Sequence, residues 1–280
     1  LQALPTRAKQ PNTPTLVVQI TDLHLMERHN GILRQTNPDD SLRAVLDLIQ
    51  ANDSPPDVLL ATGDLTQDGS VRAYQRLLHT LGERAWPVRC LPGNHDNPRT
   101  LKAILGDWTV PVTDVGAWRI IALDSTVAGT NAGHISHEQL EFLSQAAASA
   151  GDRYILIALH HNPFHEHEGF TDSMMLDNPH ILFQRLNRIP KAKVVLWGHV
   201  HHALDKRRQR LRLLATPSTC FQFTVRDGRH AVDDVPPGYR WLKLYDDGSI
   251  STGVHRLAAD KWAAMKRTYD LTTHEETTVM

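Results

Sequence analysis

Apolar residues in this chain come in short runs that end in polar, glycine-bearing turns. Leu16-Val17-Val18-Gln19-Ile20 reads as a strand, and so do Asp57-Val58-Leu59-Leu60-Ala61-Thr62 and Val88-Arg89-Cys90-Leu91. Between the first two, Leu42, Val45, Leu46 and Ile49 recur at helical spacing and predict a helix over Ser41 to Ala51. Ser70 is placed to cap a second helix running through Leu81, with Gly82 just past its end. The middle of the chain changes character. Val112 to Val115 and Trp118 to Leu123 flank Gly116 as a hairpin. Ser136-His137-Glu138-Gln139 has the form of a capping box and opens a helix to about Ala150. Tyr154 to Leu159 and Lys193 to Trp197 are apolar runs, and Pro179 suits the first turn of a helix reaching Arg188. From Leu211 onward the pattern is β: Leu211 to Ala215, Cys220 to Thr224, Tyr239 to Tyr245 and Ile250 to His255.

A βαβα first half followed by a β-rich second half predicts an α/β fold: two packed mixed β-sheets flanked by helices, in four αββα layers. There is no composition shift, internal repeat or low-complexity block. A single domain over 15–257 is therefore expected, with 1–14 as a disordered leader and 258–280 as a loose C-terminal tail. At 280 residues and 41% hydrophobic, the chain can bury a substantial core. A net charge of -1, with 17 His counted as neutral, provides no global basic field, so nucleic acid is not expected as a partner. Cys90 and Cys220 are too few for a disulfide framework or a thiolate metal site and suit a reducing cytoplasm. No run approaches a membrane span, and residues 1–15 contain no apolar signal core. A homo-oligomer is compatible with the sequence.

The chemistry sits where the apolar runs end. Asp22-Leu23-His24, Gly63-Asp64, Gly93-Asn94-His95-Asp96, His160-His161 and Gly198-His199-Val200-His201 each directly follow a strand-like run. In open α/β sheets, ligands bind beyond the carboxyl ends of strands. With Leu23 extended, Asp22 and His24 fall on one side and can chelate one ion, and His199 and His201 repeat that geometry. The two oxygens of Asp64 can bridge two cations, and Asn94 offers a neutral oxygen. Gly93 permits a backbone conformation that other residues resist. His95 points elsewhere and is free to act as a general acid, while Asp96 is placed to hold the loop by hydrogen bonds. Each motif alone has an ordinary alternative, a turn or a surface histidine. Their order and common placement argue for a site.

This series resembles the calcineurin-like metallophosphoesterase superfamily, over about Val17 to Leu257. It resembles more narrowly the bacterial class III 3′,5′-cyclic AMP phosphodiesterases. That match rests on Gln19-Ile20-Thr21-Asp22, Ala61-Thr62-Gly63-Asp64-Leu65, Leu91-Pro92-Gly93-Asn94-His95-Asp96 and Leu214-Ala215-Thr216-Pro217-Ser218-Thr219-Cys220, with Pro237-Gly238-Tyr239-Arg240 downstream. Metal binding does not explain the last two segments. The resemblance implies the metallophosphoesterase sandwich and two divalent ions, Fe or Mn first, with Zn also compatible. It places one ion on Asp22, His24, Asp64 and His201, and the other on Asp64, Asn94, His160 and His199. His160 is preferred over His161 because it comes straight off its strand. The substrate, a small cyclic nucleotide, would meet Asn94, His95, His24 and His201. The implied reaction is hydrolysis of 3′,5′-cyclic AMP to 5′-AMP by a metal-bridging hydroxide, with His95 as proton donor; independently of the resemblance, Asp68, four residues after Asp64, is expected to orient His95. Some superfamily members carry a Tyr ligand three residues after the bridging Asp; here that residue is Gln67.

Two other functions fit part of this pattern. A broader phosphodiesterase acting on 2′,3′-cyclic nucleotides or glycerophosphodiesters would share the metal centre. A non-catalytic scaffold of the same fold could dispense with His95 or several ligands, all of which are present. His165-Glu166-His167-Glu168 reads as a solvated or lid segment within a loop from Pro163 to Asn178 that could cover the site. Lys206-Arg207-Arg208-Gln209-Arg210 reads as a solvated hairpin turn, and Trp197, Phe221, Phe223 and Trp241 as core.

Overall fold

The computed structural model describes residues 13–164, 174–226 and 229–270. The expected leader therefore lies almost entirely outside the described residues, and so does the whole His165-Glu166-His167-Glu168 cluster. The first sheet has five strands in the order β13 (Ile250–Arg256), β12 (Gly238–Leu244), β1 (Thr15–Ile20), β2 (Val58–Thr62), β3 (Val88–Leu91). β1, β2 and β3 run parallel, and β12 pairs antiparallel with β1. The second sheet has six strands in the order β4 (Val112–Val115), β5 (Trp118–Ala122), β6 (Tyr154–Ala158), β7 (Ala192–Trp197), β9 (Leu211–Ala215), β8 (Leu204–Arg208). Its four central strands are parallel. A separate hairpin joins β10 (Gln222–Arg226) to β11 (Arg229–Asp233).

Alternation along the strands builds three cores. On β1, Val17 faces the second sheet, while Leu16, Val18 and Ile20 face helices α1 (Pro38–Asn52), α2 (Val71–Gly82) and α3 (Pro98–Leu105). On β6, Leu156 and Ala158 face the first sheet, while Ile155 and Ile157 face α4 (His137–Ala148) and α5 (Pro179–Asn187). This gives the expected four αββα layers. Because both faces of the central strands are buried, they read in sequence as unbroken apolar runs.

The helix starts follow their caps. Asn37, Ser70 and Ser136 accept hydrogen bonds from Asp40 N, Ala73 N and Gln139 N, and Pro38 and Pro179 sit in first turns. Gly82 differs from expectation: it is the last helical residue of α2, and the left-handed residue follows later, at Ala85 (φ 52°). The tail beyond 257 also differs. Ala259–Asp270 forms helix α6, because Trp262 is buried and Met265 packs against the first core. The basic run is a hairpin as expected. Lys206, Arg207 and Arg208 lie on edge strand β8 and Gln209 turns at φ 53°, where exposed charge protects a sheet edge from further pairing.

Candidate metal centre

All five motifs lie in the loops leaving β1, β2, β3, β6 and β7, at the carboxyl ends of both sheets. The loops after β1 and β2 stay side by side, since Asp22 N donates to Gly63 O (3.1 Å) and His24 N to Asp64 O (2.9 Å). Asp22 crosses to the other sheet: both its carboxylate oxygens accept from His199 N, at 3.1 and 3.0 Å.

The backbone of these motifs differs from the extended geometry expected for chelation. Asp22, His24, Asp64, His199 and His201 all have left-handed backbones, with φ between 48° and 68°. Such residues cost of order 1–3 kcal/mol each unless their surroundings over-determine them. The alternating left-handed residues, Asp22 and His24 around buried Leu23, and His199 and His201 around buried Val200, turn each pair of side chains inward. Gly93 also differs from expectation. No left-handed backbone is needed there. A Cβ at Gly93 would lie 2.2 Å from Asp64 Oδ1 and 2.3 Å from Asp64 N. Gly93→Ala is therefore expected to force the β2 and β3 loops apart, lowering stability by about 1–3 kcal/mol and weakening metal uptake. Thermal unfolding and metal analysis of one preparation would check both effects.

The side chains meet in two groups around Asp64. On one side His24 Nε2 lies 3.1 Å from His201 Nε2 and 3.8 Å from Asp64 Oδ2, and His201 Nε2 lies 3.3 Å from Asp22 Oδ1. On the other, His160 Nε2 lies 3.4 Å from Asp64 Oδ1 and 3.1 Å from Asn94 Oδ1. The His199 ring stands 5.0 Å from that of His160. Donor atoms close enough to share an ion come from Asp22, His24 and His201, from Asp22, Asp64 and His160, from His24, Asp64 and His95, and from His160, His161 and His199. Oxygen and imidazole donors without thiolate suit first-row divalent metals.

Burial and charge set the protonation. Burial opposes ionisation of Asp64, yet His160 beside it holds the carboxyl well below the usual range. Burial likewise opposes ionisation of Asp22, and His201 more than offsets it. Burial alone would lower the His160 imidazole, but Asp64, through charge and hydrogen bond, raises it to about 9. Burial dominates at His24 and His199, which fall to about 3 and about 4 and stay neutral, the form able to bind a metal.

Outer partners fix the rings. The second nitrogens of His160 and His201 face backbone carbonyls, Thr62 O at 3.0 Å and Phe221 O at 2.8 Å. His161 Nδ1 meets Ser125 Oγ at 2.8 Å, and its Nε2, buried without a hydrogen-bond partner, belongs with His160 and His199 to a set able to share an ion. Asp96 holds the loop as expected, accepting from Leu65 N, Thr66 N, Gly93 N and the Tyr74 hydroxyl. His95 donates its backbone N–H to Asp64 Oδ1 (3.0 Å), and its Nδ1 lies 3.1 Å from the backbone carbonyl of Gln67. Asp68, expected to orient His95, is occupied elsewhere: its carboxylate accepts from Glu27 N and Ser70 N.

The segment that metal binding left unexplained is a buried brace. Ser218 Oγ donates to Asp22 O (2.7 Å) and accepts from Cys220 N (2.8 Å), while Thr219 N donates to Thr21 O (3.1 Å). Arg240 runs beneath it and donates to Ala215 O and Leu204 O. Sequence reasoning noticed the segment but did not see that it holds the backbone of a candidate ligand. Of the aromatics expected as core, Trp197 is core and Trp241, partly buried, packs against the first core, but Phe221 and Phe223 pack on the site, Phe221 on His24 (28°, centroids 5.5 Å apart) and both on His201 at 4.7 and 4.6 Å.

The calcineurin-like phosphoesterase family model matches residues 15–203. Over 257 residues the chain is 37% identical to the 3′,5′-cyclic adenosine monophosphate phosphodiesterase CpdA of Pseudomonas aeruginosa, covering 89% of this chain and 94% of that protein. It is 39% identical over 246 residues to the CpdA of Escherichia coli K12, covering 86% and 90%. Among solved structures, a dimetal phosphatase from Danio rerio superposes with a TM-score of 0.55 at 14% identity, over 88% of this chain and all of that one, and so shares the fold. The chain carries the family's fold and a cluster of carboxylates and imidazoles able to hold divalent metal, and it belongs to the calcineurin-like phosphoesterases.

Proposed function

We propose that this chain hydrolyses 3′,5′-cyclic AMP to 5′-AMP. The observation that carries the reading is the convergence of six donor residues with Asp64, with His95 held beside them by Asp64 and Gln67. The substrate follows from the activity of the two CpdA relatives, each similar over more than four-fifths of this chain.

The first ion is assigned to Asp22, His24, Asp64 and His201, and the second to Asp64, Asn94, His160 and His199. Iron or manganese is the expected metal. When bound, the two ions would supply an activated water and offset charge on the phosphate. Asp64 serves both positions with separate oxygens, Oδ1 toward His160 and Oδ2 toward His24. Asn94 and His95 are half-buried and meet the substrate. His24 and His201, only 3% and 2% exposed, act as ligands. With its Nδ1 on the Gln67 carbonyl, His95 keeps Nε2 to pass a proton to the departing ribose 3′ oxygen. The proposed setting is the cytoplasm, which suits two free, buried thiols. No helix among the described residues is long and apolar enough to cross a membrane.

Metal uptake should be linked to protons. Below about 9 the His160 imidazole carries a proton that an ion must displace. Loading near pH 7 is therefore expected to release about one proton, with affinity rising roughly tenfold per pH unit and levelling above His160's titration. Calorimetry in buffers of different ionisation heat would count the proton.

The function is tested by stripping the protein, reloading it with Mn²⁺ or Fe²⁺, and separating products from cyclic AMP, 2′,3′-cyclic AMP and bis(p-nitrophenyl) phosphate. Metal-dependent 5′-AMP formation, preferred over the other two reactions, is the expected result. Aryl diester hydrolysis with cyclic AMP untouched would discard the substrate and keep the metal centre.

A further inference from the structure

We infer that Gln67 is a positioning residue that tunes the first ion through His24 and ties that ligand to the proton donor. Gln67 Oε1 lies 2.8 Å from His24 Nδ1, and the backbone carbonyl of the same residue lies 3.1 Å from His95 Nδ1. Both oxygens are acceptors, so each ring places its Nδ1 proton on Gln67 and frees Nε2. For His24, that Nε2 is the atom facing His201 and Asp64. For His95, it is the atom left for chemistry. The two rings meet edge to face with centroids 5.1 Å apart.

The ligand rings differ in what holds them. His160 and His201 lean on the backbone carbonyls of Thr62 and Phe221, which substitution does not remove. His24 leans on a side chain. Gln67 is thus where this chain can adjust ligand basicity by exchanging one residue. A neutral amide there gives a less basic imidazole than a carboxylate would, and outer partners of this kind typically change metal affinity 10–100-fold. The side chain of Gln67 acts on His24 and its backbone on His95, so the two effects separate under mutation.

This inference rests on the ligand assignment proposed above. The test uses the full chain with Gln67→Leu and Gln67→Glu, titrating Mn²⁺ against a chromophoric chelator and measuring kcat and KM on cyclic AMP at saturating Mn²⁺. For Gln67→Leu, one of the two ions should bind about 10–100-fold more weakly and the other unchanged. At saturating metal its kcat should stay within a few-fold, because the carbonyl that holds His95 remains. Gln67→Glu should restore or exceed the parent affinity. Wild-type affinity for both ions in Gln67→Leu would overturn the inference. So would a Glu variant as weak as the Leu variant, because that marks a packing role only. A parent protein that binds no Mn²⁺ would overturn the ligand assignment and this inference with it. Tight metal binding without cyclic AMP turnover would fail the substrate reading alone and leave the affinity arm to decide on Gln67.

Discussion

Asp64→Ala is expected to lose both ions and more than about 10³-fold in turnover while the fold survives, since metal charge stabilisation is worth several kcal/mol. The carboxylate lies between the two donor groups, with Oδ2 3.8 Å from His24 Nε2 and Oδ1 3.4 Å from His160 Nε2. Its loss also removes the main partner that raises His160, so that imidazole should titrate lower and the apo site should carry less charge. None of the three apolar clusters includes Asp64, so unfolding should stay cooperative. Asp64→Asn separates charge from scaffolding, because its amide oxygen can still accept from His95 N, now 3.0 Å from Oδ1. Loss of metal in both variants would place the effect on charge. Full metal content in Asp64→Ala, by elemental analysis, would rule out the shared ligand.

The framework was legible because strands buried on both faces leave continuous apolar runs, and the motifs sit where those runs stop. Helix α3 was not seen. Pro98 and its cap Asn97 were present, and Leu101, Ile104 and Leu105 fall at helical spacing, but eight residues are at the short limit for a helix read from periodicity. Strand β8 was missed as a strand because Leu204-Asp205-Lys206-Arg207-Arg208 is a solvated edge without apolar alternation. Helix α6 was hidden because only Trp262 and Met265 reach the core from a segment whose other residues are small or polar apart from Tyr269.

At the site, residue identity was readable and backbone geometry was not. Nothing in Asp22-Leu23-His24 distinguishes extended from left-handed backbone; neighbouring loops decide it, through Gly63 O, Asp64 O and the Ser218 hydroxyl. The contact between His95 and Gln67 runs through a main-chain carbonyl, which every residue has, so Asp68 looked the better partner on charge. His160 and His161 are identical as letters. The fold gives them different partners: His160 Nε2 faces Asp64 and Asn94, while His161 holds Ser125 through Nδ1 and stays within reach of His160 and His199.

His95→Ala should lower kcat on cyclic AMP by about 10²–10⁴-fold, the usual worth of a positioned general acid. The metal positions should be spared. His95 reaches Asp64 through its backbone N–H, which alanine keeps, and it is the Gln67 side chain that holds His24. The diagnostic quantity is the ratio of losses on two substrates. The ribose 3′ alkoxide is a poor leaving group and needs the proton, whereas p-nitrophenolate departs without one. Bis(p-nitrophenyl) phosphate turnover should therefore fall far less than cyclic AMP turnover at equal metal content. An equal fall on both would mean that His95 positions the phosphate and does not supply the proton. The leaving oxygen would then take its proton from solvent, and the orientation of His95 by Gln67 would matter for binding alone.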